Sequence, residues 1–311
     1  MTDSHEPERA DESPEDRAGA PVPFSPAAQT DMDSGLVDPL PHQAVSIPPA
    51  GAGLPADGRL LAGSANPLRW ADLVYLLIFY FVSGTLLELV VAGAAAIFFH
   101  VSYAALQNPA GAGASVAIVS QALLSAATLA FLYVMVRART SGPFWRALGW
   151  RRLRDADPHA SAVRYMFLGL LLALVVGWTS KYVDTGKTLP MEELFHNRQN
   201  IVLLTLLGVL VAPLVEETLF RGCIYPVVAR RFGAGAGVLA TGILFGLAHA
   251  PQLWGGWGEI ALLVCVGIVL TYVRARAGTV AASYFVHVSY NTILFAGLYF
   301  ATSGLRYFPS T

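Results

Sequence analysis

The run IVLLTLLGVLVAPLVEETLFRGCIYPVVA, residues 201–229, is long and apolar enough to cross a bilayer, yet its middle holds Glu216, Glu217 and Arg221. A helix needs about 20 residues to span the hydrocarbon core. An ionisable side chain near the centre costs on the order of 2.5–3.5 kcal/mol even on the mildest scale. Glu217 and Arg221 stand four residues apart, so on a helix they share a face and can pair. Glu216 is one residue earlier, about 100° round the helix, and is left to face something else.

Similar apolar runs occupy about 71–99, 114–136, 165–180, 236–250, 259–273 and 280–303. The expected fold is all-α, a polytopic membrane bundle of about seven to eight transmembrane helices. The runs at 71–99, 114–136, 201–229 and 280–303 are long enough to span outright. The other three are short, and either extend into their flanks or are partly re-entrant. Only 13% of the 311 residues are charged, against about 25% in soluble domains. The net charge of -1 does not bear on nucleic acid, but the sequence has no clustered basic surface of the kind such binding needs, so no nucleic-acid partner is expected. Cys223 and Cys265 both lie in apolar runs and read as buried free thiols.

The first 66 residues are of another composition. Eleven acids stand against three arginines before Asn66, with many Pro, Ala and Gly and no apolar periodicity. Such a segment cannot bury enough surface to offset its ordering entropy, which predicts a disordered, acidic, Pro-rich tail over 1–66 and a membrane domain over 67–311. With seven spans, thirteen Lys and Arg residues border one side and four the other. The positive-inside rule then places the N-terminus in the cytoplasm and the protein in the cell membrane as a multi-pass chain.

FWRALGWRRLR (144–154) alternates aromatic and basic residues and predicts an amphipathic segment at the cytoplasmic interface. TLPMEELFHNRQN (188–200) reads as a solvated loop leading into the fourth span. GAGAG (233–237) does not complete a nucleotide-binding loop. Its small residues fit close helix–helix contact in lipid.

The last four spans hold further polar groups at helical spacing. Phe245 and His249 are four apart, and so are His287 and Asn291. One carboxylate, two imidazoles and a carboxamide suit water activation and oxyanion stabilisation. A buried Glu serves as general base, and His with Asn can hydrogen-bond a developing oxyanion. Zinc is the other reading, with Glu216, His249 and His287 as ligands, because two His and one Glu form a recognised catalytic set. Against it, HExxH is absent and the ligands come from three helices. Ser289 lies about 200° round the helix from His287, an awkward place for a Ser–His pair.

At these residues the sequence resembles the CPBP family, the membrane proteases related to the CAAX-prenyl endopeptidase and to bacteriocin-immunity (Abi) proteins. Its pattern is EExxxR, then FxxxH, then HxxxN or HxxxD, on successive late helices. Here these are Glu216-Glu217-Thr218-Leu219-Phe220-Arg221, Phe245 to His249, and His287 to Asn291, within a core of about 200–300. The resemblance implies an endopeptidase acting inside the membrane, on prenylated CAAX-type or other membrane-associated peptides. It implies Glu216 as the base that activates water, with His249 holding that water. It further implies His287 and Asn291 as the oxyanion hole, and Glu217 and Arg221 as supports of the geometry. The family has carried the label metalloprotease, whereas the glutamate mechanism requires no cofactor.

Two non-catalytic readings compete. One is a membrane scaffold or bacteriocin self-immunity protein. The other is a proton-coupled transporter, which needs a polar path through the first three spans, where polar residues are scarce. The peptidase reading also sets a geometric condition. By helix rise, Glu216 lies ~21 Å from Arg230 and His249 ~27 Å from Arg231, whereas His287 is only ~10 Å beyond the start of its span. They meet only if the helices are offset vertically, or if the 236–250 span is tilted or broken.

Overall fold

The computed structural model describes residues 66–108, 111–156, 158–183 and 203–301. The tail expected over 1–66 lies outside them except for Asn66, and so does 188–200. All regular structure among the described residues is helical: α1 Trp70–Phe98, α2 Tyr103–Leu106, α3 Ala112–Arg137, α4 Phe144–Ala147, α5 Leu153–Ala156, α6 Ala162–Val183, α7 Leu203–Phe232, α8 Ala234–Ala248, α9 Trp257–Ala277 and α10 Val280–Ala301.

Five helices, α1, α3, α6, α7 and α9, are long and apolar enough to cross a membrane. The protein is a multi-pass membrane helix bundle. The short runs at 165–180 and 259–273 do extend into their flanks, giving helices of 22 and 21 residues. The 236–250 run stays short as the 15-residue α8, ~22 Å long against a core of about 30 Å. α10 has length enough at 22 residues but is not among those five, and Ser283, His287, Ser289 and Asn291 interrupt its apolar run.

The outer surface of α1 is apolar, with Leu77, Ile78, Phe81, Leu89 and Val90 all exposed, as expected where the solvent is hydrocarbon. Glu88 is exposed on this helix and has no ion pair among the described residues. Cys223 is buried as expected, whereas Cys265 is exposed. An apolar residue in a lipid-facing run gains nothing by turning inward, so hydropathy does not distinguish the two positions.

Helices pack in pairs, α1 on α3, α6 on α10 and α8 on α9, with α7 against α8 and α10. Small residues allow the closest approaches, as lipid-embedded packing requires. A Cβ on Gly246 would stand 2.8 Å from the Val264 nitrogen, and one on Gly169 2.3 Å from the Val286 carbonyl oxygen. In the GAGAG stretch, Gly237 abuts Ala229, where a Cβ would meet that residue's Cβ at 2.9 Å. Gly233, at φ +85, is the turn between α7 and α8. The expected amphipathic segment at 144–154 is two one-turn helices, broken at Gly149, whose φ is +83. Phe144 and Leu148 are buried there while Trp145 is exposed.

This broken loop resolves the depth condition. Leu148 packs at Gly222, where a Cβ would lie 3.1 Å from the Leu148 carbonyl oxygen, and the Val280 nitrogen donates to the Gly149 carbonyl at 3.0 Å. α10 therefore begins level with Gly222, ~12 Å deeper than Arg230 along α7. Adding the ~10 Å from its start to His287 gives ~22 Å, the depth of Glu216. His249, ~22 Å from the start of α8, falls in the same layer.

Candidate active site

α7 is not a uniform α-helix. Its turns widen to π geometry at Leu207–Val211 and at Thr218–Ile224, on either side of the α-helical Ala212–Glu217. Wide turns of this kind are frequent at functional sites, and here they flank the two glutamates.

Glu217 and Arg221 are both completely buried, with Glu217 Oε1 2.9 Å from Arg221 Nη1. The guanidinium also donates through Nη2 to the Gly267 carbonyl at 2.9 Å and through Nε to Thr271 Oγ1 at 3.2 Å. Its Cζ sits 4.5 Å from the centroid of the Phe245 ring. A buried charge is tolerable only when paired and hydrogen-bonded, and α9 supplies the acceptors that the sequence motif does not name. Glu217 Oε1 also lies 3.0 Å from His287 Nδ1. A carboxylate accepts only, so Nδ1 carries a proton and Nε2 faces away from Glu217.

Nε2 of His287 points to Glu216, 3.7 Å from its Oε2. Across the same carboxylate, Oε1 is 3.8 Å from His249 Nε2. His249 Nδ1 donates to the Phe245 carbonyl at 2.8 Å, which fixes this imidazole in the same tautomer. Glu216 and His249 are 25% and 23% exposed, whereas His287 is only 4% exposed. The layer thus has two members open to approach and a closed support behind them.

Phe245 explains the first position of FxxxH. It is almost wholly buried, and its ring centroid lies 4.8 Å from that of His249, 5.7 Å from that of His287 and 5.2 Å from that of Phe220. One ring thus buttresses both imidazoles and the arginine. Five of the six residues expected at the site, Glu216, Glu217, Arg221, His249 and His287, form one continuous network. The sixth, Asn291, donates through Nδ2 to the Gly208 carbonyl at 2.7 Å, tying α10 to the first widened stretch of α7.

The first spans contribute polar groups after all. Tyr80 of α1 lies within electrostatic range of Gln121 of α3 and of Glu216. Both stand out as polar residues in apolar runs, but spacing alone does not connect them to α7. Ser289 is turned away and donates to the Met166 carbonyl at 2.7 Å. Among the described residues, no group of three or more His, Cys, Asp or Glu side chains is arranged to hold a metal ion.

Residues 198–293 match the Rce1-like family, described as type II CAAX prenyl endopeptidase Rce1-like. The Rce1-like segment contains all three motifs and, among the described residues, runs through α7, α8, α9 and more than half of α10. It leaves out α1, α3 and α6. No curated protein and no solved structure matches the chain. The match is to a family of peptidases, in line with the expected resemblance.

Proposed function

We propose that this protein hydrolyses peptide bonds in membrane-associated substrates, with Glu216 as the base that activates water. The observation that carries this reading is one partly exposed carboxylate whose two oxygens face the Nε2 atoms of His249 and His287 at 3.8 and 3.7 Å. Both gaps exceed a direct hydrogen bond and suit a bridging oxygen.

The tautomers assign the steps. With Nδ1 of His249 protonated, its Nε2 is an acceptor, as is Glu216 Oε1. A water between them donates one hydrogen bond to each and keeps a lone pair for the substrate carbonyl. As its oxygen bonds to the carbonyl carbon, Glu216 takes the proton. Stabilising the oxyanion from His287 requires a proton on its Nε2 as well as on Nδ1, where Glu217 accepts. Asn291 joins with the amide N–H not given to Gly208. Collapse of the intermediate breaks the C–N bond, and Glu216 returns the proton to the leaving amine. Arg221 offsets the charge of Glu217, and Glu217 holds the Nδ1–H of His287 in place.

The substrate class follows from the matched family: prenylated CAAX-type C-termini, or other peptides held at the membrane. The route needs no cofactor. Zinc on Glu216, His249 and His287 is the competing route, and a scaffold or bacteriocin self-immunity role needs no chemistry at all. The test is cleavage of prenylated and unprenylated membrane peptides by the purified protein, wild type beside Glu216→Gln, with and without a strong zinc chelator. Activity lost in the variant and kept with chelator is the expected result. Activity lost in both points to the metal. Absence of cleavage across both peptide classes overturns the peptidase reading.

A further inference from the structure

Among the described residues, three donors at the arginine-rich end are buried without an acceptor: Nε of Arg274, Nε of Arg151 and the hydroxyl of Tyr225. Arg274, in the last turn of α9, is only 3% exposed, and its Cζ is 6.0 Å from the Tyr225 ring centroid. Among the described residues no carboxylate pairs with Arg274 or Arg151. The two cations are near enough to act on one another electrostatically. Arg151 is half-buried, and its Nη2 also donates to the Gly278 carbonyl at 3.4 Å; holding a buried guanidinium beside a second one is costly unless an anion offsets them.

The place is held rigidly. Loop 149–151 and turn 278–280 are clasped by the Val280 nitrogen donating to the Gly149 carbonyl at 3.0 Å, the Arg151 nitrogen donating to Thr279 Oγ1 at 3.1 Å, and Thr279 Oγ1 donating to the Arg151 carbonyl at 2.8 Å. The arginines cross over this clasp. Nη2 of Arg274 occupies the space of a missing side chain at Gly149, 2.5 Å from where a Cβ would stand, and Nη2 of Arg151 stands 3.4 Å from such a Cβ at Gly278. Both glycines have positive φ, +83 and +69. The clasp lies at the level of Gly222, where the 30-residue α7, ~45 Å long, extends past a hydrocarbon core of about 30 Å. Exposed Trp145 and Arg152 beside it mark an interfacial depth.

We propose that Arg151, Arg274 and Tyr225 form a site for a phosphate oxyanion at the clasp, supplied by an anionic phospholipid headgroup. Only donors are left over, which is the complement of a phosphate, and basic pockets between helices on the arginine-rich side are where anionic headgroups bind. The site is separate from the Glu216 layer and does not depend on the peptidase reading.

The test measures the thermal midpoint of the full chain in neutral detergent. The probes are phosphatidylglycerol, phosphatidylcholine and inorganic phosphate, on wild type, Arg151→Gln, Arg274→Gln and the exposed-residue control Arg152→Gln. Phosphatidylglycerol should raise the wild-type and control midpoints by about 5 °C, and phosphatidylcholine should not. Arg151→Gln should abolish that rise, and serves if Arg274→Gln does not fold. An equal rise with inorganic phosphate alone, lost in the same variants, keeps the oxyanion site and overturns the lipid as its source. A rise of the same size in Arg151→Gln and the control overturns the site, as does an Arg274→Gln protein that outlasts the wild type with every additive.

Discussion

His287 Nδ1 lies 3.0 Å from Glu217 Oε1, the same oxygen that accepts from Arg221 Nη1 at 2.9 Å. One buried carboxylate oxygen thus connects the Arg221 guanidinium to the His287 imidazole. It sets which nitrogen of His287 faces Glu216. Glu217→Gln keeps the shape and an oxygen that can accept from both Arg221 and His287, but removes the negative charge that offsets the buried guanidinium. Activity should fall by about 10²–10⁴, as when a buried carboxylate orienting a catalytic His is lost. Comparison of kcat with circular dichroism of the same sample checks that the loss is not unfolding.

Arg221→Leu removes the cation and strands Glu217 in a site with no exposure. Breaking a buried pair from one side costs about 3–5 kcal/mol. The variant should show a sharply lowered thermal midpoint in detergent, with Arg221→Lys intermediate because an ammonium cannot reach Glu217, Gly267 and Thr271 in one geometry.

Glu216→Gln should behave differently. Glu216 is 25% exposed and makes no contact with either histidine shorter than 3.7 Å. Its midpoint should stay close to the wild type, within about 0.5 kcal/mol of stability, while hydrolysis is lost. Parallel melting and cleavage measurements separate this variant from Arg221→Leu.

Gly246→Ala should destabilise without touching a polar group. Its Cβ would lie 2.4 Å from Val264 Cγ2 and 2.8 Å from the Val264 nitrogen, so α8 must move off α9. Overpacking of this kind costs about 1–3 kcal/mol. Because His249 caps α8, cleavage should fall together with the melting temperature.

Tyr80→Phe deletes a hydroxyl within electrostatic range of Gln121 and Glu216. A hydrogen bond from such a hydroxyl is worth about 1 kcal/mol. A fall of about fivefold in kcat/KM with an unchanged midpoint is expected from steady-state assays beside melting curves. An unchanged kcat/KM would remove Tyr80 from the site.

The sequence by itself determined that the chain is a membrane helix bundle, because long runs with few charges have no other stable solution in lipid. It also determined which residues belong together, because EExxxR, FxxxH and HxxxN repeat a helical spacing and ionisable groups in such runs are too costly to be incidental. Tertiary structure alone decided the depths. From spacing, His287 falls ~11 Å short of Glu216, and only the clasp of Gly149 with Val280 lowers α10 to meet it. Tertiary structure also decided the partners of Arg221, since Gly267 and Thr271 are ordinary residues in an apolar run. It separated exposed Cys265 from buried Cys223 and set Glu88 on the outer surface. In a bilayer both faces of a helix are apolar, so the amphipathic pattern that orients a helix in water is absent, and orientation comes from which neighbours a helix meets.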